Sequence, residues 1–407
     1  MLVYKDIYKF RYLLFIFMLF YTYLFSFNIS SCSNNIDNIK VGGGFSMDYV
    51  FFTGPSKSRG NQYYSGVNFK SVDLYLSGIL YSKYHYLLSS KTNFDGIFCL
   101  SYAKFMFNIS DDIRVVIGQM EMDFGLDNSM IDRWRLFFEP SSSTSTFIPN
   151  DKMGIGIIRN NNSYYTSAFV VVPKQGVILK NDLERRFRRS DKVSYISRTV
   201  YTFIDDFNSV LHCGFSILCE SGKKWVRFLS SPELNSRITT AVIDTNIDKM
   251  RRDIYSKEFF ILNFESAYKY GSIYTTFEFN CALISRKNRN KEYMWLYFYG
   301  GHIEISYIFM GATRKYDSQN RNFNNYITST SEYGILEFSS RYSFVSLDTY
   351  DIKGGVSKNI TCALNWYCND YIKISGNYIF SVQNPNEIYI RDTRKMHIFG
   401  LRVNVSF

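Results

Sequence analysis

The sequence predicts an all-β protein, a transmembrane antiparallel β-barrel of about sixteen strands (16–18), on three observations. The last twelve residues, Met396 to Phe407, alternate between apolar and polar side chains. The chain begins with the three parts of a secretory signal. No second apolar run of about eighteen residues follows it, so no further helical span is expected. Alternating strands behind a secretory signal are typical of barrels with a lipid face and a wet interior.

The amino-acid composition restricts the class of protein less than the alternating sequence pattern does. The chain has 407 residues, a formal net charge of +11, 34 Tyr and 37 Phe. Aromatic girdles at the two membrane interfaces explain this aromatic content, and a biased base composition of the genome explains it equally well. The positive charge fits nucleic acid, an anionic surface or an anion-conducting pore, and composition alone does not choose among them.

The amino-terminal segment predicts export. Lys5, Lys9 and Arg11 precede an apolar run at 12–27, and small polar residues follow it. We therefore expect a secretory signal peptide at 1–32 and an outer-membrane β-barrel at 33–407. A single membrane anchor is the alternative, and the residues up to Cys32 also fit the site at which bacterial lipoproteins are cut and acylated.

The body of the chain alternates in the same way as its last segment. In the segment 371–382, apolar residues on one face oppose Lys373, Ser375, Asn377 and Ser381 on the other. The segments 336–344 and 359–366 repeat the pattern, and each is one amphipathic strand. The predicted strand count is sixteen to eighteen, because the pattern at 224–245 can be divided into strands in more than one way.

The connections alternate in length. Tight turns rich in Asn, Asp and Ser are predicted at 108–111, 160–163, 205–208 and 368–370. Longer polar links are predicted at 55–64, 121–152, 174–192, 245–256, 287–294, 347–354 and 383–391. Short periplasmic turns and long extracellular loops are the asymmetry of outer-membrane barrels. The polar stretch 311–331 breaks this rule, since it is long and falls on the turn side.

The sequence predicts no enzyme, no catalytic residue, no metal and no cofactor. The histidines at 85, 212, 302 and 397 are isolated on strand-like segments, and no zinc-protease, serine-hydrolase or phosphate-loop motif accompanies them. Cys213 and Cys219 lie on one face of a single strand, about 20 Å apart, which is too far for a disulfide.

Ordered sequence blocks resemble the phosphate-selective porin O and P family from about residue 66 to the end. They comprise RVVIGQ at 114–119, FGLD at 124–127, FFE at 137–139, DKMG at 151–154, SRTVYT at 197–202, LHCGFS at 211–216, PE at 232–233, GGHIEISY at 300–307, LEFSSRYS at 336–343, GG at 354–355, LNWY at 364–367, NY at 377–378 and RVNVSF at 402–407.

The resemblance implies a porin of the bacterial outer membrane, usually a homotrimer of sixteen-stranded barrels. Its lumen is lined with arginine and lysine and passes anions, because a narrow wet pore focuses the field of its lining charges. The implied partners are small anionic or polar solutes, outer-membrane lipid and the barrel assembly machinery, which reads a carboxy-terminal aromatic strand. A nucleic-acid partner is not expected.

By the same resemblance, the link 121–152 is the loop that folds inward and constricts the channel. The pore-lining or solute-binding candidates are Lys70, Arg133, Arg135, Lys152, Arg198, Arg227, Arg341, Lys373 and Arg402. Guanidinium groups match phosphate oxygens in a bidentate geometry. The alternative is that each of these charges is merely solvated or paired.

The chain departs from the family in ways that bear on selectivity. Of an early run of arginines only Lys70 remains as a basic residue, Asp73 is added, and Asn150 stands where the family has arginine. We therefore expect passive diffusion of small hydrophilic solutes with an anion preference, without phosphate specificity. The competing hypothesis is a plugged barrel that acts as a surface adhesin or antigen. The basic run 180–192 is expected to be a solvated surface loop, with contact to anionic lipopolysaccharide as the alternative.

Overall fold

The structure is a computed structural model of the chain. It describes residues 36–53, 65–81, 83–92, 98–148, 152–172, 193–234, 243–245, 254–287, 293–324, 327–328, 333–384 and 394–407. The expected signal at 1–32 and the basic run 180–192 lie outside these residues.

Sixteen strands of the described chain form one closed barrel in which sequence neighbours pair antiparallel. They are β1 Ile36–Thr53, β2 Gly66–Leu80, β3 Tyr84–Thr92, β4 Phe98–Asn108, β5 Ile113–Met120, β6 Lys152–Asn160, β7 Tyr164–Val172, β8 Ser194–Asp205, β9 Ser209–Val226, β12 Ile254–Tyr270, β13 Ile273–Lys287, β14 Tyr293–Ile308, β17 Ile335–Thr349, β18 Ile352–Tyr367, β19 Ile372–Asn384 and β20 Arg394–Ser406. The predicted fold class and a strand count of sixteen are confirmed.

The remaining elements are short. β10 (Leu229–Ser230) pairs with β11 (Ile243–Asp244), and β15 (Thr313–Arg314) pairs with β16 (Ile327–Thr328). Two helices, α1 (Leu126–Ser129) and α2 (Ser142–Phe147), lie between β5 and β6. Among the described residues, no helix is long and apolar enough to cross a membrane.

The barrel strands form because every second side chain can face lipid while the others face inward. On β12, Phe264 and Tyr268 are 45% and 41% exposed on the outer face, whereas Asn263 and Glu265 are fully buried inside. This alternation is the reverse of a soluble core, because the polar side is the enclosed one. The lumen is therefore where the chemistry of this protein lies.

The first and last strands close the ring. β1 and β20 pair in continuous register from Gly44 opposite Ser406 to Thr53 opposite His397. Beyond the strand, Gly43 and Phe407 exchange two backbone hydrogen bonds of 2.9 Å. The alternating carboxy-terminal segment is thus the closing strand of the barrel.

Short turns gather at one end of the barrel, which we call the turn end, and long connections at the other, the loop end. The predicted tight turns are found at 109–112, 161–163, 206–208 and 368–371. The predicted long link at 347–354 is wrong, because β17 and β18 continue through it and meet at Tyr350–Asp351. There Asp348 pairs with Lys353 in the ladder, so polar residues that read as loop belong to strands.

Candidate functional site in the barrel lumen

An inward loop, residues 121–148, descends from the loop end into the lumen. Asp127 organises it: its carboxylate accepts hydrogen bonds from the Arg135 guanidinium at 2.7 Å and from the Ser141 backbone N–H at 2.8 Å. The Ser141 side chain in turn caps α2 by accepting from the Thr144 N–H at 3.2 Å. One carboxylate therefore fixes both helices of the loop.

Three basic side chains of the wall hold this loop. The Arg402 guanidinium bonds Asp48 on the neighbouring strand at 2.6 and 2.7 Å, and it reaches Glu139 of the loop at 3.1 Å. Lys70 also pairs with Glu139. Lys373 donates to the backbone carbonyl of Arg135 at 2.7 Å. The loop is thus pinned to β1, β2, β19 and β20.

A second stretch, the loop-end segment (227–234 with 243–245), also lies inside the barrel. Its Glu233 carboxylate accepts from Arg341 at 3.0 Å, from Thr361 at 2.8 Å and from the Ser142 N–H at 3.0 Å. Arg341 is 1% exposed. This carboxylate joins β17, β18 and α2. The described part of the region 224–245, which the sequence left open, is thus the end of β9 followed by an inward segment.

The turn-end segment, residues 309–324, enters from the opposite end. Arg314 pairs with Glu337 at 2.9 and 2.6 Å, and the Tyr316 hydroxyl lies 2.8 Å from the His212 Nδ1 atom. Arg321 is fully buried and donates to Thr202 Oγ1 at 2.7 Å and to Asn160 Oδ1 at 3.0 Å. Residues 311–324 of the long polar stretch that broke the turn rule are therefore folded into the lumen.

Arg198 on β8 links these parts. Its guanidinium lies 2.6 Å from Glu265 on the wall and 2.9 Å from Asp123 of the inward loop, and it donates to the Arg321 carbonyl at 3.1 Å. His212 contacts the same Glu265 carboxylate at 2.8 Å. A fully buried guanidinium needs this many acceptors, because an unpaired charge removed from water is costly.

Apolar side chains fill the space between the segments. Phe147 of α2 packs edge-on against Phe228 of the loop-end segment with ring centroids 5.2 Å apart, and Phe228 packs against Phe298 of β14 at 5.4 Å. A cavity of about 10 Å³ between α1, Arg135 and Glu278 holds one water at most. This part of the lumen is packed like a protein core.

The positions of the predicted site residues differ in exposure. Arg135, Arg198, Arg341, Lys373 and Arg402 are all buried against the inward segments. Arg133 donates to Ser406 at 2.7 Å, and Lys152 donates to Ser194 at 2.9 Å. Arg227 pairs with Asp244 at 2.9 Å and keeps 30% of its side chain exposed.

Sequence reasoning missed several inward-facing cations, among them Lys91, Lys104 and Arg114. Lys91 lies 2.8 Å from Asp132 of the inward loop. Lys104 lies above the ring of Tyr102 at 6.0 Å, and Arg114 donates to Asn108 at 3.2 Å. Their odd or even positions within β3, β4 and β5 could have placed them on the inward face. These strands carry apolar residues on both faces, however, so the alternation that marks the polar side is weak.

Three buried basic side chains lie near the turn end. Arg321, Lys269 and Lys373 are each at most 3% exposed, and within the described residues they bond only neutral oxygens. Lys269, for example, donates to the Phe207 carbonyl at 2.7 Å. Nearer the middle, Glu278 is a buried carboxylate that accepts from Asn263 at 2.9 Å and from the Asp127 N–H. The hydrogen-bond acceptors of these three buried basic side chains are therefore neutral oxygens.

Among the carboxyls of the inward segments, Asp127 and Glu233 have lowered pKa values. Burial by itself would raise the pKa of Asp127, but the Arg135 guanidinium and the Ser141 N–H lower it to about 2. Burial would likewise raise the pKa of Glu233, but Arg341 and the hydroxyls of Ser343 and Thr361 hold it below its usual range. Both groups are charged at neutral pH.

No cluster of three or more His, Cys, Asp or Glu among the described residues could hold a metal ion.

A closed sixteen-stranded barrel with an apolar outer face and a charged interior defines the class of outer-membrane porins. The sequence matches the family described as Phosphate-selective porin O and P over residues 39–407, and the chain belongs to this family. It is a channel of the bacterial outer membrane for small solutes.

Solved structures share the fold. The anion-selective porin of Comamonas acidovorans has 9% identity and a TM-score of 0.55, covering 91% of this chain and 99% of that chain. Pseudomonas putida OprB at high pH has 7% identity and a TM-score of 0.56, covering 92% and 94%. The trimer form of Vibrio cholerae OmpT has 9% identity and a TM-score of 0.53, covering 91% and 99%. No curated protein matches the sequence.

Proposed function

We propose that this porin gives passive diffusion of small hydrophilic solutes with a preference for anions. The observation that carries the proposal is a group of three buried basic side chains at the turn end, Arg321, Lys269 and Lys373, whose hydrogen-bond acceptors are neutral oxygens. A charge in a low-dielectric wall is poorly screened, so it raises the anion concentration in the adjoining water.

Phosphate specificity is not part of the proposal. Lys70 is the one basic residue left in the early block of the sequence. It is paired with Glu139, and this pairing weakens its attraction for a free anion. Among the other predicted pore-lining residues, Arg198, Arg341 and Arg402 are paired with carboxylates, and we propose that they act by holding the inward segments. The family favours this channel over a plugged adhesin.

The remaining parts of the proposal concern assembly. We propose a homotrimer, exported by a signal at 1–32, inserted by the barrel assembly machinery and surrounded by outer-membrane lipid. The wall from β5 to β7 supports a trimer, because its strands have only 8 or 9 residues and offer a low side for neighbouring copies. The trimer form of the Vibrio cholerae protein has the same fold.

A planar bilayer measures the preference directly. In a potassium chloride gradient the reversal potential should have the sign of anion flow, and Lys269→Gln should move it toward zero. The matched control is Lys358→Gln, because Lys358 is exposed on the outer side of β18. A parent reversal potential at zero, or an equal shift in both variants, would contradict the proposal.

A further inference from the structure

A groove lies on the lipid-facing side of the barrel, next to the strands that close the ring. This groove, which we call the seam groove, has a volume of about 480 Å³. Gly376 of β19 forms its floor, because the register places this glycine between Leu364 and Leu401 on the outer face. The side chains around it are apolar or aromatic, namely Tyr49, Phe338, Leu364, Tyr378, Phe399 and Leu401. The seam groove is therefore a gap left where one outward side chain is missing.

The backbone does not require glycine at position 376. Its φ lies outside the left-handed region, so a larger residue could adopt the same conformation. Among the described residues, a Cβ at Gly376 would have one neighbour within 4 Å, the Leu401 Cδ2 atom at 3.6 Å, which is ordinary van der Waals contact. Glycine inside a strand weakens it and often marks a place where another molecule approaches the backbone closely. The space over Gly376 is thus open to a chain of the surrounding lipid.

Two polar side chains lie on the same outer face, between the seam groove and the loop end. Lys395 is exposed, and it is two residues from His397 on β20, which is roughly 7 Å along the strand. The Tyr378 hydroxyl lies 2.8 Å from the His397 Nδ1 atom, and the ring centroids of Phe380 and His397 are 4.9 Å apart. A tyrosine that donates to Nδ1 leaves the imidazole proton on Nε2, which can then donate to a phosphate oxygen. An ammonium group and an imidazole N–H are thus neighbours at the loop-end side of the groove.

The distance from these donors to the groove matches one leaflet of a bilayer. Val382 of β19 lies opposite Lys395, and Gly376 is six residues further along β19. Six residues of a strand extend roughly 20 Å, and a strand tilted by about 40° descends roughly 15 Å over that length. One leaflet contributes roughly 15 Å of hydrocarbon, which is half of a bilayer core. A lipid with its phosphate at Lys395 therefore has an acyl chain long enough to reach Gly376.

We propose that the seam groove binds lipopolysaccharide, with one acyl chain over Gly376 and one phosphate group held by Lys395 and His397. The charge favours an anionic lipid, because basic residues at the level of the headgroups attract phosphate. The position favours this anionic lipid over others, because the loop end faces the outside of the cell and lipopolysaccharide belongs to the outer leaflet. The groove lies outside the pore, so this proposal does not depend on the anion preference of the channel.

Binding of purified lipid A, the phosphorylated and acylated anchor of lipopolysaccharide, tests the phosphate contact. The parent protein in detergent should bind it saturably in native mass spectrometry, and Lys395→Gln should raise the dissociation constant roughly five-fold. The matched control is Lys257→Gln on β12, whose side chain is 52% exposed away from the groove and whose loss should leave binding unchanged. A parent that binds no lipid A, or an equal dissociation constant for the parent and Lys395→Gln, overturns the proposal.

Filling the seam groove tests the acyl-chain contact. Gly376→Leu should weaken lipid A binding at least as much as Lys395→Gln does, and heat-modifiable migration on gels checks that the barrel has closed. Gly376→Ala, whose methyl group fits at 3.6 Å from Leu401, should lower binding in the same direction by less. The matched control is Gly66→Leu on β2, because a Cβ there has no described neighbour within 4 Å. Unchanged lipid A binding by closed barrels of both Gly376 variants overturns the groove as the site.

A competing lipid tests the identity of the ligand. Phosphatidylglycerol has one phosphate and two acyl chains, so it covers less of the apolar outer face than lipid A and should compete poorly for the parent protein. Equal competition would assign the groove to a phospholipid and overturn the choice of lipopolysaccharide. The two proposals of function fail separately, because lipid binding is measured without current: a parent channel without anion preference overturns the proposed selectivity and leaves the lipid result standing.

Discussion

Single buried arginines decide how the lumen is filled. A guanidinium removed from water is tolerated when its donors all find acceptors, and carboxylates in a fork geometry supply two at once. Arg198, Arg314, Arg341 and Arg402 each meet this condition with at least one carboxylate. Every such pair spans from one part of the fold to another, so these residues join separate segments rather than merely carry charge.

Arg198→Met should destabilise the protein by about 3 to 5 kcal/mol, because Glu265 and Asp123 then lose a buried partner. The free energy of unfolding in urea, followed by tryptophan fluorescence in detergent, measures the loss. Arg159→Met is the matched control, since Arg159 is exposed near the turns and should change stability by less than about 0.5 kcal/mol. Equal losses in both variants would refute the role given to Arg198.

The sequence predicted which face these residues occupy but not what they bind. Period-two alternation placed Arg198, Arg341, Lys373 and Arg402 on polar faces. Their partners lie too far away in sequence for any local pattern to reveal: Arg402 binds Asp48 across 354 positions. Pairing in a closed barrel depends on the register of every intervening strand, which periodicity does not specify.

At the scale of elements, three inward segments replace water with protein on most of the inner wall. Each is attached by a charged group: the inward loop through Asp127, the loop-end segment through Glu233 and the turn-end segment through Arg321. The turn rule foresaw the tight turns and marked 311–331 as anomalous. It could not foresee that the stretch folds inward, because polar residues serve a solvated loop and a buried polar network equally well.

Glu233→Gln should free the loop-end segment and raise the single-channel conductance, because the neutral amide no longer holds Arg341 as an ion pair. Larger current noise should accompany the rise. The matched control is Glu258→Gln on β12, whose carboxylate is 39% exposed beside Lys257 and should leave conductance unchanged.

Acid should reproduce the effect of this substitution. Since the folded pKa of Glu233 is lowered, its stabilisation is complete above the usual glutamate pKa of about 4.3 and is lost as the pH falls further. Conductance of the parent should therefore be constant from pH 7 to 5 and change only below that range. A conductance change centred near pH 6 would indicate a different group.

At the scale of the whole molecule, the barrel is closed only when its first strand, β1, pairs with its last strand, β20. Deleting Ser406 and Phe407 removes the two backbone bonds between Phe407 and Gly43 and the Arg133 contact to Ser406. The fraction of closed barrel, read from heat-modifiable migration on gels, should fall. Phe399→Ala, on the outer face of the same strand, keeps every backbone bond and should fold nearly as well. Similar losses in both variants would show that the side chains, not the closure, matter.

The seam between β1 and β20 also couples barrel closure to the inward loop. Arg402 of the last strand bonds Asp48 of the first strand, and it bonds the Phe138 carbonyl and Glu139 of the inward loop as well. The closing seam and the docked loop therefore share one residue, Arg402. The pairing of β1 with β20 joins residues that are far apart in the chain. Such a contact has a high entropy cost of loop closure and forms slowly. A chain that lacks β20 cannot form this seam, so the barrel closes only once the last strand is present.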